Sequence, residues 1–472
     1  MNTINYNKTD RETPLGFDID PDSQLHLING FCMRSIPPQR SAFYREVVDS
    51  PCAQRLVESG RLIATHPGPI DESGGVTFRH PEIPLVLYPY EWTPSMLRDA
   101  ALMFLDLLQA LEAAGYGLKD GHPWNIVFDG PRPVWVDLTS IVTKSEDAAF
   151  NARADFHSYF LRPLRMIAAG LGAYARLGLS QLFGPPVPWL DNVVALNFAH
   201  AFGQGRRAGF QYMFRSAKVM LQKKFQGMPL RPPIWNPVSI EDMRAAVLEL
   251  NVRPQAGEWT NYYRGMNELP RFESGSSNVS EIAGATPKHR LIDTLFSELR
   301  PKTVLDIGCN AGLYSFMAAA HGARVVGLDL DESAVDEMYL SAKTKNLTIT
   351  CGTGDFVAPI KPAEYLHKPR LRPLHARVQS EMVICLAIVH HWVFKRLQLR
   401  FEDVAQILSA VATRVLVVEF VPREDKHVAT WPNVNVAWYN VENFAAALRL
   451  HFREVSVHQS FPSPRLLLVC KK

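Results

Sequence analysis

From residue 303 onward the apolar positions fall into two kinds of block that alternate to the end of the chain. Short continuous apolar runs lie at 303–307, 324–328, 347–351, 382–386, 415–421 and 466–470. Between them, at 313–321, 332–345, 402–413 and 441–451, apolar residues recur at three- and four-residue spacing. A continuous apolar run suits a strand covered on both faces, and helical spacing suits the layer that covers it. The alternation predicts an α/β domain over 286–472 with a parallel, doubly wound sheet. Its opening helix is marked by Thr286 as N-cap, Pro287 in the first turn, Leu291, Ile292, Leu295, Phe296 and Leu299 on one face, and Pro301 as the stop.

The first half is patterned differently. Residues 96–116 place Leu97, Ala101, Phe104, Leu105, Leu108 and Leu111 on one helical face. A turn at 121–125, strands at 126–128 and 134–136 with Asp129-Gly130-Pro131 between them, and a mostly helical pattern from Phe156 to about Glu249 follow. This predicts an α+β domain over 1–250. Residues 251–285 are rich in Pro, Gly, Ser and Asn without periodicity, and read as a linker and possible cofactor lid.

Composition narrows the class. A chain of 472 residues with 47% hydrophobic and 21% charged content exceeds one typical core and is not disordered throughout. The net charge of +3 includes a modest cationic excess after His289, without the dense basic face of a dedicated nucleic-acid binder. The six cysteines are scattered with no C-x-x-C pair, so no metal site is expected. The first residues lack an apolar leader, and no run approaches about 18 apolar residues, so a cytoplasmic chain without a membrane span is expected.

The chemistry concentrates at the ends of four predicted strands. Val304-Leu-Asp-Ile-Gly-Cys-Asn-Ala-Gly-Leu-Tyr-Ser-Phe316 is an apolar run carrying an acid, a glycine turn and a helix start, the form in which a strand presents a nucleotide-like group to a helix N-terminus. Gly308 and Gly312 allow close approach, and Asn310 is the non-glycine residue that best tolerates a left-handed backbone. Asp306 can bind an ammonium directly or through water. Asp329 ends the second run, roughly 20 residues past the glycines, where a carboxylate can accept ribose hydroxyls. Asp355 and Phe356 end the third, offering an acceptor for an exocyclic amine and an apolar contact for a base. Leu386-Ala-Ile-Val-His390-His391 ends the fourth, where chemistry would occur.

On these motifs residues 286–472 resemble the class I S-adenosylmethionine-dependent methyltransferases. The resemblance implies a Rossmann-like sheet in which Gly308, Asn310 and Gly312 line the methionine part, Asp329 holds the ribose and Asp355 with Phe356 holds the adenine. Leu386 lies beside them. A dinucleotide site would instead carry G-x-G-x-x-G. The fourth strand lacks the Asn/Asp-Pro-Pro-Tyr/Phe of base-methylating amino-group enzymes, so a hydroxyl or carbon acceptor is expected. His391 and His390 are candidate bases because imidazole titrates near neutrality, and Glu419 is a second candidate or a sheet anchor. The stretch 361–377, with five cations and one acid, reads as a solvated loop that could also guide an anionic acceptor.

In the first half, Asp120, Asn125 and Asp137 are spaced as in the catalytic segment of kinase-like phosphotransferases. No G-x-G-x-x-G precedes them, and no lysine lies between Lys8 and Lys119, so an arginine such as Arg79 would have to serve the phosphates. A kinase-like fold without phosphotransfer is the expectation. Tyr88-Pro-Tyr-Glu-Trp92 reads as aromatic packing under the long helix. Taken with Trp259, Asn261-Tyr262 and the motifs above, the chain resembles a bacterial family of two-domain methyltransferases that includes rhizobial host-specific nodulation proteins of the NoeA type. That resemblance implies a glycan or small-molecule acceptor, such as a nodulation factor or cell-surface glycan, and a capping role for Trp259, Tyr262 and Lys288. The rivals are a phosphotransferase using Asp120, Asn125 and Asp137, and a non-catalytic module that keeps the cofactor as a structural ligand.

Overall fold

In a computed structural model, residues 13–14, 23–28, 31–180, 239–260, 286–359, 372–431, 434 and 436–472 are described. Asn261, Tyr262 and residues 361–371 of the cationic stretch lie outside them.

The first domain opens with a five-stranded antiparallel sheet ordered β1 (Thr13–Pro14), β2 (Gln24–Ile28), β3 (Phe31–Ile36), β5 (Val76–Pro81), β4 (His66–Ile70). Helices α1 (Pro38–Asp49) and α2 (Pro51–Glu58) connect β3 to β4. The long helix α3 (Pro94–Ala113) begins where Thr93 Oγ1 accepts from the Met96 N–H, with proline in its first turn. It buries the predicted Leu97, Ala101, Phe104, Leu105, Leu108 and Leu111. Then come β6 (Tyr116–Leu118), the hairpin β7 (Ile126–Asp129) and β8 (Arg132–Trp135), and β9 (Ile141–Thr143), which pairs with β6. Helices α4 (Glu146–Phe156), α5 (Arg162–Ala168), α6 (Gly172–Leu179) and α7 (Ile240–Glu249) complete the described part. Tyr90 and Trp92 are buried, in line with the packing reading of 88–92.

The second domain starts at α8 (Pro287–Leu299) and is built on a seven-stranded sheet. The order is β12 (Ile349–Thr353), β11 (Arg324–Asp329), β10 (Thr303–Ile307), β13 (Ser380–Cys385), β14 (Ala412–Phe420), β16 (Leu466–Lys471), β15 (Glu454–Gln459). The first five strands in that order are parallel, and β16 and β15 are antiparallel to their neighbours. The expected all-parallel sheet is corrected on two counts. The run at 466–470 returns antiparallel, and β15 has no counterpart among the predicted strands. At an open edge β15 needs no continuous apolar run, and Glu454, Ser456, Val457 and Gln459 are exposed.

Helices α9 (Leu313–Ala320), α10 (Glu332–Lys345), α11 (Leu374–Arg377), α12 (Val389–His391), α13 (Phe401–Val411) and α14 (Val441–Arg449) connect these strands. Strand order reverses at β10, so the carboxyl ends of β10, β11, β12 and β13 frame the crevice in which such sheets hold ligands.

The two domains pack closely along α10 and β12. A Cβ added at Gly352 would lie 2.5 Å from Leu87 Cδ1, and one at Gly130 would lie 3.2 Å from Thr348 Cα. Ser95 donates to Asp336 from its backbone (2.9 Å) and hydroxyl (2.7 Å), while Tyr339 and Lys343 both donate to Asp99. Arg324 pairs with Asp129 and Arg176 with Glu332. Arg377 makes a two-point bond to Glu91 (2.8 and 2.6 Å), with both side chains buried, and lies 3.7 Å from the Tyr88 ring. Removing one member of such a pair leaves a buried charge and costs about 3–5 kcal/mol. Among the described residues no helix is long and apolar enough to cross a membrane.

Candidate functional site

The turn after β10 is held by the next strand. Gly308 and Cys309 N–H groups donate to the Leu328 carbonyl at 2.8 and 3.2 Å, and Gly308, Asn310 and Gly312 all have positive φ (75°, 49° and 88°). A Cβ at Gly308 would meet Ile388 Cδ1 at 2.4 Å, and one at Gly312 would meet Met338 Sδ at 2.3 Å. Both glycines are therefore required twice, by backbone conformation and by close packing.

Asp329, at the end of β11, accepts from the Asn310 N–H (2.8 Å) and the Asp331 N–H (2.9 Å), so its carboxylate ties the turn to the start of α10. Burial raises its pKa, against the pull of those N–H groups. Asp306 lies beneath the turn, accepts from Ser315 Oγ at 2.7 Å, and is pushed up to about 7 by burial, with the Asp329 charge adding to the rise. Asp355 accepts from the Val357 N–H (3.1 Å) and pairs with Arg396 (3.1 Å), while Phe356 stacks on Trp392.

After the buried Leu386, Ala387 takes a left-handed conformation (φ 53°) and turns the chain so that His390 and His391 follow in a short helix. The two imidazoles lie 4.3 Å apart by ring centroid. His391 is flanked by Trp259 at 5.5 Å and Trp431 at 5.0 Å, both edge to face. His390 stacks on Trp431, and Lys395 Nζ lies 4.0 Å from that indole. Titration near neutrality, expected from the residue type, does not hold here. Burial, reinforced by Lys395, Arg396 and Arg465, lowers His391 to about 4. Burial, then His391, Arg465, Lys395 and His427, holds His390 well below the usual range. Both rings are neutral at pH 7.

Glu419 ends β14 fully buried, where it accepts from Lys288 Nζ (2.9 Å) and Ser460 Oγ, with Arg465 at 3.9 Å. That geometry makes Glu419 an anchor between the start of α8 and the last hairpin, and it turns Lys288 toward the sheet. Arg377, within the cationic stretch, faces Glu91 across the domain boundary.

Along this rim of the sheet, three buried polar atoms have no hydrogen-bond partner among the described residues: Thr353 Oγ1 at the end of β12, His390 Nδ1 beyond β13 and Glu419 Oε2 near the end of β14. Buried polar atoms are ordinarily paired, so such a set along one rim of the sheet fits a site whose ligand completes it. Together with the close-packed glycine turn, this rim fits an adenosine-type group.

The constellation in the first domain is arranged otherwise. Asn125 Nδ2 donates to Asp120 Oδ1 at 3.1 Å. Asp137 Oδ1 faces Arg34 (3.1 Å) and accepts from the Thr139 N–H (3.2 Å) and Oγ1 (2.8 Å). The arginine that meets Asp137 is thus Arg34 on β3, and Arg79 instead stacks over Phe31 at 4.7 Å. Among the described residues no group of three His, Cys, Asp or Glu side chains is placed to hold a metal.

No family profile matches the chain. It is 25% identical to nodulation protein NoeA of Rhizobium meliloti (strain 1021) over 431 residues, which covers 88% of this chain and 87% of that protein. A stretch of 93 residues is 39% identical to a ubiquinone biosynthesis O-methyltransferase of Coxiella burnetii (strain Dugway 5J108-111), 20% of this chain and 34% of that one. The chain is similar to methyltransferases that use S-adenosylmethionine. Among solved structures, the magnesium protoporphyrin IX methyltransferase ChlM of Synechocystis PCC 6803 with bound SAH aligns with 39% of this chain and 80% of that chain, at 18% identity and a TM-score of 0.27. The bifunctional kinase-methyltransferase WbdD aligns with 45% of this chain and 46% of that one, at 18% identity and a TM-score of 0.30.

Sequence reasoning missed Trp431, Lys395, Asp331 and Ser315 around this site. Trp431 sits in an irregular segment with no motif around it, and Lys395 follows the His-His pair by a helical turn. The spacing Asp329-x-Asp331 before an apolar helix was a readable signal for a cap at Asp331.

Proposed function

We propose that the chain transfers a methyl group to a hydroxyl on a glycan or small molecule. The observation that carries this reading is His391, a neutral imidazole at the carboxyl end of β13, half-buried between two indoles. S-adenosylmethionine supplies an electrophilic methyl on a sulfonium. In this reading Gly308, Asn310 and Gly312 line its methionine part, with Asp306 beneath. Asp329 accepts from the ribose, Asp355 and Phe356 meet the adenine, and Leu386 lies beside the group.

An acceptor oxygen bonds to the methyl carbon as the carbon–sulfur bond breaks, its electron pair staying on the sulfur of the departing S-adenosylhomocysteine, and the oxygen loses its proton. His391 accepts the hydroxyl hydrogen bond and so aims an oxygen lone pair, which in-line transfer demands. With a conjugate acid near 4 it is a weak proton sink. It therefore orients the hydroxyl first and receives the proton late in the step. His390, buried against Trp431, keeps the ring of His391 in place.

An oxygen acceptor is supported by the similarity to the ubiquinone biosynthesis O-methyltransferase, and a role connected with nodulation by the near full-length similarity to nodulation protein NoeA. The test is transfer of labelled methyl from S-adenosylmethionine to a panel of glycan and small-molecule hydroxyls, with His391→Ala beside wild type. Label in the wild-type product and a large loss in His391→Ala are expected. Undiminished transfer by His391→Ala would remove the proposed role.

A further inference from the structure

The segment Gln255–Thr260 is gripped from two sides. The Gln255 N–H donates to Glu332 Oε2 at 2.8 Å, and the Trp259 N–H donates to Asp331 Oδ2 at 3.0 Å. Thr260 Oγ1 reaches both Asp331 oxygens (2.8 and 3.0 Å) and also accepts from the Gly257 N–H at 2.8 Å. The approach is so close that a Cβ at Gly257 would stand 2.5 Å from Asp331 Oδ2. From the opposite side, Asn310 Nδ2 donates to the Trp259 carbonyl at 2.9 Å. The strap is thus bound to the start of α10 and to the glycine turn, and its indole rests against His391.

The conformation of Asn310 sharpens the point. At φ 49° glycine would adopt the turn at lower conformational cost, so the side-chain amide, not the backbone, explains asparagine at this position. The same residue donates its backbone N–H to Asp329, so Asn310, through side chain and backbone, connects the strap to the acid proposed for the ribose.

The grip extends into the first domain. Glu332 holds Gln255 with one carboxylate oxygen and Arg176 of α6 with the other. Arg176 also donates to the carbonyls of Tyr90 (2.9 Å) and Trp92 (3.0 Å), which are buried in the first domain.

We propose that Gln255–Thr260 is a clasp on the cofactor turn, with Asn310 as its catch and Arg176–Glu332 as its anchor in the first domain. What it clasps rests on the methyltransferase reading above. Asn310 and Arg176 are positioning residues that act through Trp259 and Glu332. The first domain then contributes to methyl transfer by holding the strap.

The test is hydrogen exchange read by mass spectrometry on the full chain, with and without S-adenosylhomocysteine, together with calorimetric Kd values. Asn310→Gly keeps a turn that glycine favours, so it separates loss of the catch from loss of the fold. Exchange over 255–260 in Asn310→Gly is expected to quicken by roughly fivefold or more, the equivalent of one net hydrogen bond, and Kd to rise by a similar factor. Arg176→Met, which leaves the turn untouched, is expected to move both readouts the same way by a smaller factor. Wild-type exchange and Kd in Asn310→Gly would overturn the clasp alone. A wild-type chain that binds no S-adenosylhomocysteine would overturn the cofactor reading and the clasp with it.

Discussion

Two stretches of this chain place acids and turns at the ends of strands, one around Asp306–His391 and one around Asp120–Asp137, and they differ in how their polar groups are used. In the second domain the rim of the sheet carries buried polar atoms, Thr353 Oγ1 and His390 Nδ1 among them, that no described group satisfies. In the first domain Asp137 is enclosed by Arg34 and Thr139, and Asp120 receives Asn125. The Arg34 guanidinium meets one oxygen of the Asp137 carboxylate at 3.1 Å. Two motifs of similar appearance in the sequence therefore differ in local chemistry. One leaves rim atoms without a hydrogen-bond partner, and in the other Asp137 and Asn125 bond within the chain while Arg34 Nε has no hydrogen-bond partner among the described residues.

The comparison can be broken most severely at His391. If it orients and deprotonates the acceptor, His391→Ala should lower kcat by roughly 10²–10⁴-fold while leaving cofactor Kd within about twofold. Asp329→Ala should act on binding, raising Kd for S-adenosylhomocysteine by roughly 10²–10³-fold through lost charged hydrogen bonds. Asp137→Asn, the matching change in the first domain, should leave both kcat and cofactor Kd within about twofold. A loss of methyl transfer there comparable to that of His391→Ala would erase the distinction.

A third arm uses pH. With His391 lowered to about 4, the ring is already neutral at pH 5.5, so the acid limb of kcat should fall near pH 4 and not near 6.5. A limb at 6.5 that disappears in His391→Ala would show an ordinary histidine.

Asp306 gives a smaller effect, on stability. Buried, it keeps its proton up to about pH 7, whereas the unfolded chain releases it near the ordinary value of 3.8. Between those values the folded state binds more protons, so stability should fall as pH rises, by up to about 1.4 kcal/mol per pH unit. Asp306→Asn should flatten that slope in denaturant titrations at pH 5 and 7.

The parallel strands and the glycine turn were legible because both are local. Strands buried on two faces need unbroken apolar runs, and a tight turn under a ligand needs residues with left-handed freedom, so 303–316 reads directly. The strap was not legible in this way. Gly257 and Trp259 are far from Asp331 in sequence, and only the fold shows that Gly257 is pressed against the Asp331 carboxylate. Trp431 illustrates the same limit, since a lone indole in an irregular segment has no period to betray the histidines it packs on. Arg34 escaped for a different reason. No lysine lies between Lys8 and Lys119, and Arg34 sits in a short interior strand where Met33 and Arg34 are buried in succession, so no alternation singles it out. Histidine chemistry was misread through its reference value, which burial and three nearby cations displace.

The central claim is that ligand-binding capacity resides in the second domain and not in the first. Isothermal titration of the full chain with S-adenosylmethionine, NAD and ATP with Mg²⁺ tests it most directly. Saturable binding of S-adenosylmethionine, abolished by Asp329→Ala and unaffected by Asp137→Asn, is the predicted result. Binding of ATP with Mg²⁺ that is lost in Asp137→Asn, with none of S-adenosylmethionine, would contradict it.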